Sequence, residues 1–107
     1  MKLITQKIRK KTPKLYEQDD VHEPIVYAKF FYPYGSGTWF MLELDKDNDT
    51  AYGFVSLGLG EHCDELGYFS IKELEANNVE RDIFFEPMTL SEAKIKHLSS
   101  AYSVNIA

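Results

Sequence analysis

Three apolar runs separated by turn residues, at positions 25–31 (IVYAKFF), 38–44 (TWFMLEL) and 51–58 (AYGFVSLG), leave this chain few ways to fold. Each run has the length of a strand, is rich in aromatic and β-branched side chains, and is bounded by Pro, Gly, Asn or Asp. The spacers YPYGSG and DKDND are short and suit tight turns, and an acidic loop then leads into a fourth run, GYFS, at 67–70. The pattern predicts an antiparallel β-meander. Strict alternation places Val26, Ala28 and Phe30 on one side of the first strand, with Ile25, Tyr27, Lys29 and Phe31 on the other. In the second strand it sets Phe40, Leu42 and Leu44 against Trp39, Met41 and Glu43. Both sides are apolar, so both faces of the sheet should be covered and Trp39 and Phe40 both buried. Lys29 and Glu43, the exceptions, are expected to pair across strands near an edge.

Helical signals flank this block. Thr5 suits the N-cap of a short helix with Ile4, Ile8 and Leu15 near one side and Lys7, Lys10, Lys11 and Lys14 on another. Pro13 interrupts it, and Thr12-Pro13 reads as the start of a second helical piece. Ser70 to Glu73 is a capping box opening a helix to about Ala76, and Thr89 to Glu92 is another, opening a helix to about Ala101. That last helix would bury Leu90, Ala93, Leu98 and Ala101. RDIFFEP, between the two helices, reads as a strand ended by Pro87, and the tail SVNIA as an added edge strand or a frayed end. The expected fold is α+β, a single domain over residues 1–107. It has one antiparallel sheet of four to five strands, with short N-terminal, middle and C-terminal helices packed on it.

A chain of 107 residues buries roughly 65% of the surface that its unfolded form exposes, enough for a real core. No apolar run approaches the roughly 18 residues of a membrane span, and the opening MKLITQKIRKK lacks the layout of a secretory signal. The single cysteine, Cys63, forms no internal disulfide, and a cytoplasmic protein is expected. The net charge of -5 conceals a division. Residues 1–14 carry six bases and no acid, whereas the remainder carries six bases and all seventeen acids, a surplus of eleven negative charges. Such a body repels nucleic acid and suits basic protein surfaces, while the leader suits anions.

Motifs for chemistry are sparse. Asp45, Asp47 and Asp49 imitate the opening of a calcium loop, but Thr50 stands where the loop glycine belongs and Ser56 where the closing acid belongs, which leaves a solvated turn. Glu61, His62, Cys63, Asp64 and Glu65 are all metal-binding types, yet neighbours in an extended segment point in alternate directions and no second Cys/His pair completes a tetrahedral site. His22 and His97 are isolated. No nucleophile sits in an elbow or glycine-rich turn, so no catalytic residue, metal or cofactor is assigned. Tyr27, Phe31, Trp39, Tyr52 and Phe54 have the character of a base-stacking platform, but Lys29 is the lone base among them, which favours a role in the core.

Four stretches, LITQKIRKKTPKLYEQ, IVYAKFFYPYGSGTWF followed by Glu43, ELGYFSIKEL and ERDIFFEPMTLSEA, resemble in order and spacing a family of small bacterial proteins catalogued as domain of unknown function 2958. The resemblance implies cargo of a plasmid, prophage or conjugative element, with no activity attached. GEHCDE is longer than that pattern implies. Charge and resemblance together rank three expectations. The first is a non-enzymatic acidic protein that occupies a basic surface of a host or defence protein, as an anti-CRISPR or anti-restriction factor would, through Asp45, Asp47, Asp49, Glu61, Asp64 and Glu65. The second is a nucleic-acid accessory factor that uses Lys7, Lys10, Lys11 and Lys14. A small enzyme comes third.

Overall fold

The computed structural model describes residues 1–60 and 63–98. Ten elements follow one another: α1 (Gln6–Lys11), β1 (Ile25–Val26), β2 (Ala28–Tyr32), β3 (Gly37–Leu44), β4 (Thr50–Ser56), β5 (Glu65–Ser70), α2 (Ile71–Ala76), β6 (Glu80–Arg81), β7 (Met88–Thr89) and α3 (Leu90–His97). The main sheet is antiparallel with order β5-β4-β3-β2-β6, and β1 and β7 form a separate two-stranded ladder. The expected meander and α+β class are present.

Both faces are covered, as the pattern required. On one side Ala28, Phe30, Met41, Leu44 and Ala51 pack against Leu3, Ile4, Ile71, Leu74 and Val79, which come from the N-terminal segment, α2 and the residue before β6. On the other, Val26, Phe40, Leu42 and Phe54 pack against Leu90 and Ala93 of α3. Phe40 is fully buried, whereas Trp39 is half-buried at the rim of the first core.

The alternation breaks in two places. Tyr27 separates β1 from β2 and donates its N–H to Met41, so Val26 joins one core while Ala28 and Phe30 join the other. A register shift between Met41 and Glu43 makes a bulge in β3 that brings Leu44 round to the side of Met41. Glu43 therefore meets no cross-strand lysine. Lys29 lies opposite Phe40 and forms its ion pair with Asp82, at 3.7 Å.

Both capping boxes open helices: Ser70 accepts from the N–H of Glu73, and Thr89 from that of Glu92. At the N-terminus Thr5 caps α1 as expected. No second helix follows, because Thr12 closes α1 with its hydroxyl donating to Ile8, and Pro13 gives its carbonyl to the N–H of Leu44. The predicted strand RDIFFEP is likewise divided. β6 ends at Arg81, and Asp82 folds residues 82–85 into a turn by accepting the N–H of Phe84 on its side chain and that of Phe85 on its backbone. The far end of the predicted last helix, Ala101, and the tail SVNIA lie outside the described residues.

Candidate functional site

The leader is held by its apolar residues and displays its cations. Leu3 and Ile4 are buried under the sheet, Ile8 is half-buried against the same core, and Lys7, Arg9, Lys10, Lys11 and Lys14 are exposed. Three of these, Arg9, Lys10 and Lys11, stand in the last turn of α1, where positive charge also complements the unpaired carbonyls of the helix end. Chain geometry gathers a further base: Arg9, Lys10, Lys11 and Lys14 share with Lys46, from the 45–49 turn, one open depression of about 620 Å³. Two acids line it, Glu17 and Asp45, and the Glu17 carboxyl group already accepts the N–H of Lys14. On the other flank Lys7 and Lys11 meet Arg81 across a cleft of about 200 Å³ that also touches Tyr27, Ile83 and Phe85. Arg81 is partly engaged there, donating to the carbonyls of Lys2 and Leu3.

Among the described residues the ion pairs are Lys29 with Asp82 and Lys96 with Glu92. No cation of the leader takes part in either. Among the described residues the leader cations thus enter no salt bridge, with Asp82 and Glu86 also lining the cleft that Lys7 and Lys11 share with Arg81.

The acids are disposed differently. Asp47 accepts the N–H groups of Asp49 and Thr50 and the Thr50 hydroxyl, and these hydrogen bonds hold its carboxyl below the usual carboxylate range, the Asp49 amide contributing most. Asp49 accepts the Ser70 hydroxyl and the N–H of Lys72, tying the turn before β4 to the start of α2. Two of the three turn acids therefore serve the fold. The second acidic set is at the other end of the hairpin, since Thr50 pairs with Ser70 while Val55 pairs with Glu65. Glu65 is exposed, Asp64 is half-buried, and Glu61 lies outside the described residues, as does His62. Among the described residues, Asp45, Asp47 and Asp49 stand at one end of the hairpin and Glu65 at the other.

Other candidates disperse. Cys63 and His22 are exposed, whereas His97 sits half-buried between Phe40 and Phe85 with its Nδ1 3.3 Å from the Lys29 ammonium. No group of three or more His, Cys, Asp or Glu residues able to hold a metal occurs among the described residues. Trp39 packs on one core and Phe54 and Tyr52 on the other, so the supposed stacking platform does not exist as one surface. Exposed aromatics lie elsewhere, among them Tyr34, Phe84, 85% exposed at the tip of the 82–85 turn, and Tyr16 and Tyr68, which join hydroxyls at 3.3 Å, a bond that pushes the Tyr68 pKa up to about 12. Sequence reasoning missed Lys46, hidden among aspartates, and Arg81, which only the fold brings beside α1.

The family model described as protein of unknown function (DUF2958) matches residues 2–99. The chain belongs to this family. Membership covers the basic leader and the whole sheet, and it attaches no activity to them. No curated protein and no solved structure matches the chain at a significant level. No described helix is long and apolar enough to cross a membrane.

Proposed function

We propose that the protein is a non-catalytic accessory factor that binds nucleic acid through the basic face of α1, as part of a mobile element's cytoplasmic cargo. One observation carries the proposal: Lys7, Arg9, Lys10, Lys11 and Lys14 are exposed and unpaired among the described residues, while Asp47 and Asp49 are consumed by the fold. Lysines and arginine spread over one face neutralise phosphates and release counterions, which requires no base-specific geometry. The acidic remainder limits contact to that face and sets orientation by repulsion.

The test is a fluorescence-anisotropy titration with labelled single-stranded DNA, duplex DNA and single-stranded RNA across salt concentrations. Micromolar binding is expected, weakening on the order of a hundredfold between 50 and 200 mM salt if about four phosphates are contacted. Replacing Lys7, Lys10, Lys11 and Lys14 by Gln should abolish it with the fold intact, because these side chains are exposed. Absence of binding at low salt, or binding unchanged in the lysine variant, overturns the proposal.

A second reading rests on the acidic body, which holds all seventeen carboxylates against six bases: occupation of a basic site on a host or defence protein. It is favoured if nucleic acid fails to bind while a host partner is captured and then lost on Asp45→Lys with Glu65→Lys. Those positions avoid the fold-bearing Asp47 and Asp49.

A further inference from the structure

We propose that β5, the strand that ends the sheet among the described residues, pairs with β5 of a second copy of this chain, antiparallel about a two-fold axis through Gly67. The two edges of the sheet are treated differently. At the far edge β6 is two residues long and covered by the N-terminal segment, with Arg81 donating its N–H to the Met1 sulfur and its Nη1 to the carbonyls of Lys2 and Leu3. β5 is six residues long, pairs with β4 without a bulge, contains neither Pro nor Lys, and has no other strand beside it among the described residues. Such an edge is a template for another strand unless something blunts it.

The backbone phase selects the register. Ile71 N–H bonds to Asp49 and Asp45 N–H bonds to Thr50, so Ala51, Gly53 and Val55 turn toward β5 and meet Phe69, Gly67 and Glu65. By alternation the N–H and C=O groups of Leu66 and Tyr68 face outward. A two-fold axis at Gly67 then joins Leu66 to the partner's Tyr68, and Tyr68 to the partner's Leu66, each as a pair exchanging two hydrogen bonds. Gly67 faces the partner's Gly67 as the close, non-bonded pair, where a Cα separation of about 4.5 Å is ordinary. Nothing lies within 4 Å of the place a Gly67 Cβ would occupy, so a side chain placed there meets nothing on that face of the sheet in the monomer.

Side chains agree with this register. Leu66 and Tyr68, 48% and 55% exposed, become apolar cross-strand partners. Glu65, the one charged side chain in the strand, falls opposite the partner's Phe69, so no like charges face each other within the paired strands. The result is a continuous ten-stranded sheet. The pairing uses none of the leader cations and stands whether or not they bind nucleic acid.

The test combines mass and cross-linking. Multi-angle light scattering should show wild type approaching twice the monomer mass as concentration rises from micromolar to several hundred micromolar. Leu66→Lys with Tyr68→Lys, both at exposed positions, should stay monomeric and fold as wild type by circular dichroism. In a Cys63→Ser background, Gly67→Cys should form an intermolecular disulfide under mild oxidation at least tenfold faster than Ile95→Cys, an exposed position on α3. A wild type that stays monomeric at several hundred micromolar, whatever occupies the edge, overturns the proposal. So does a double-lysine variant that still dimerises, or equal cross-linking at positions 67 and 95.

Discussion

Glu43 is 3% exposed, yet each of its carboxyl oxygens has a use: one accepts the N–H of Tyr16, the other the N–H of Gln18. It acts as a clamp that holds the segment after α1 against β3, where Tyr16 takes a left-handed backbone, φ 73°. Glu43→Ala leaves two part-buried donors without partners and should cost about 2 to 4 kcal/mol in a urea melt, with Glu43→Gln intermediate. A loss below about 1 kcal/mol would mean that water replaces the carboxyl group. Gly53 is constrained by its neighbour instead: a Cβ there would lie 1.8 Å from the Phe40 carbonyl oxygen, and β4 could not approach β3. Gly53→Ala should cost about 3 kcal/mol or more, whereas Gly67→Ala, which meets nothing, should be near neutral on the monomer. Equal midpoints for the two variants would contradict the packing described. The sequence pointed to a Lys29–Glu43 pair because alternation places them alike. It could not show that two distant segments, residues 16–18 for Glu43 and the 82–85 turn for Lys29, supply better partners.

Among the elements, α3 closes the second core, and His97 is its seal against the sheet. Burial lowers the imidazole pKa from its usual value, the nearby Lys29 adds to this, and Asp82 opposes it only in part. Neutral His97 accepts from the Lys29 ammonium at Nδ1. The unfolded chain binds this proton more readily than the folded one, so the stabilisation is complete above about pH 6.5 and declines as pH falls toward the folded pKa. Chemical denaturation from pH 8 to pH 5 should show that decline, and His97→Gln should flatten it. An unchanged slope in the variant would assign the decline to other groups. At this scale the sequence was informative where signals are local: both capping boxes, the Thr5 cap and the meander hairpins depend on residues a few positions apart. It misled where tertiary contacts override alternation, at the Tyr27 break, at the β3 bulge and in RDIFFEP, whose Asp82 turns the chain and leaves Ile83 and Phe84 outside.

For the whole molecule, the charge division between leader and body was visible in composition, and the basic face follows from it. Which acids remain available was not visible, because the engagement of Asp47 and Asp49 depends on partners at Thr50, Ser70 and Lys72. The N-terminal segment also depends on elements far along the chain, α2 and β6. Leu3 donates its N–H to Glu75 and receives Arg81 on its carbonyl, separations of 72 and 78 positions, and its side chain is wholly enclosed. Along the chain that leucine precedes everything that encloses it. Until α2 and β6 are in place the amphipathic leader has no seat, and until α3 follows them the opposite face of the hairpin stack is bare as well. The closure spans more than seventy residues, so the leader's contacts are among the long-range ones that slow folding when they dominate a fold.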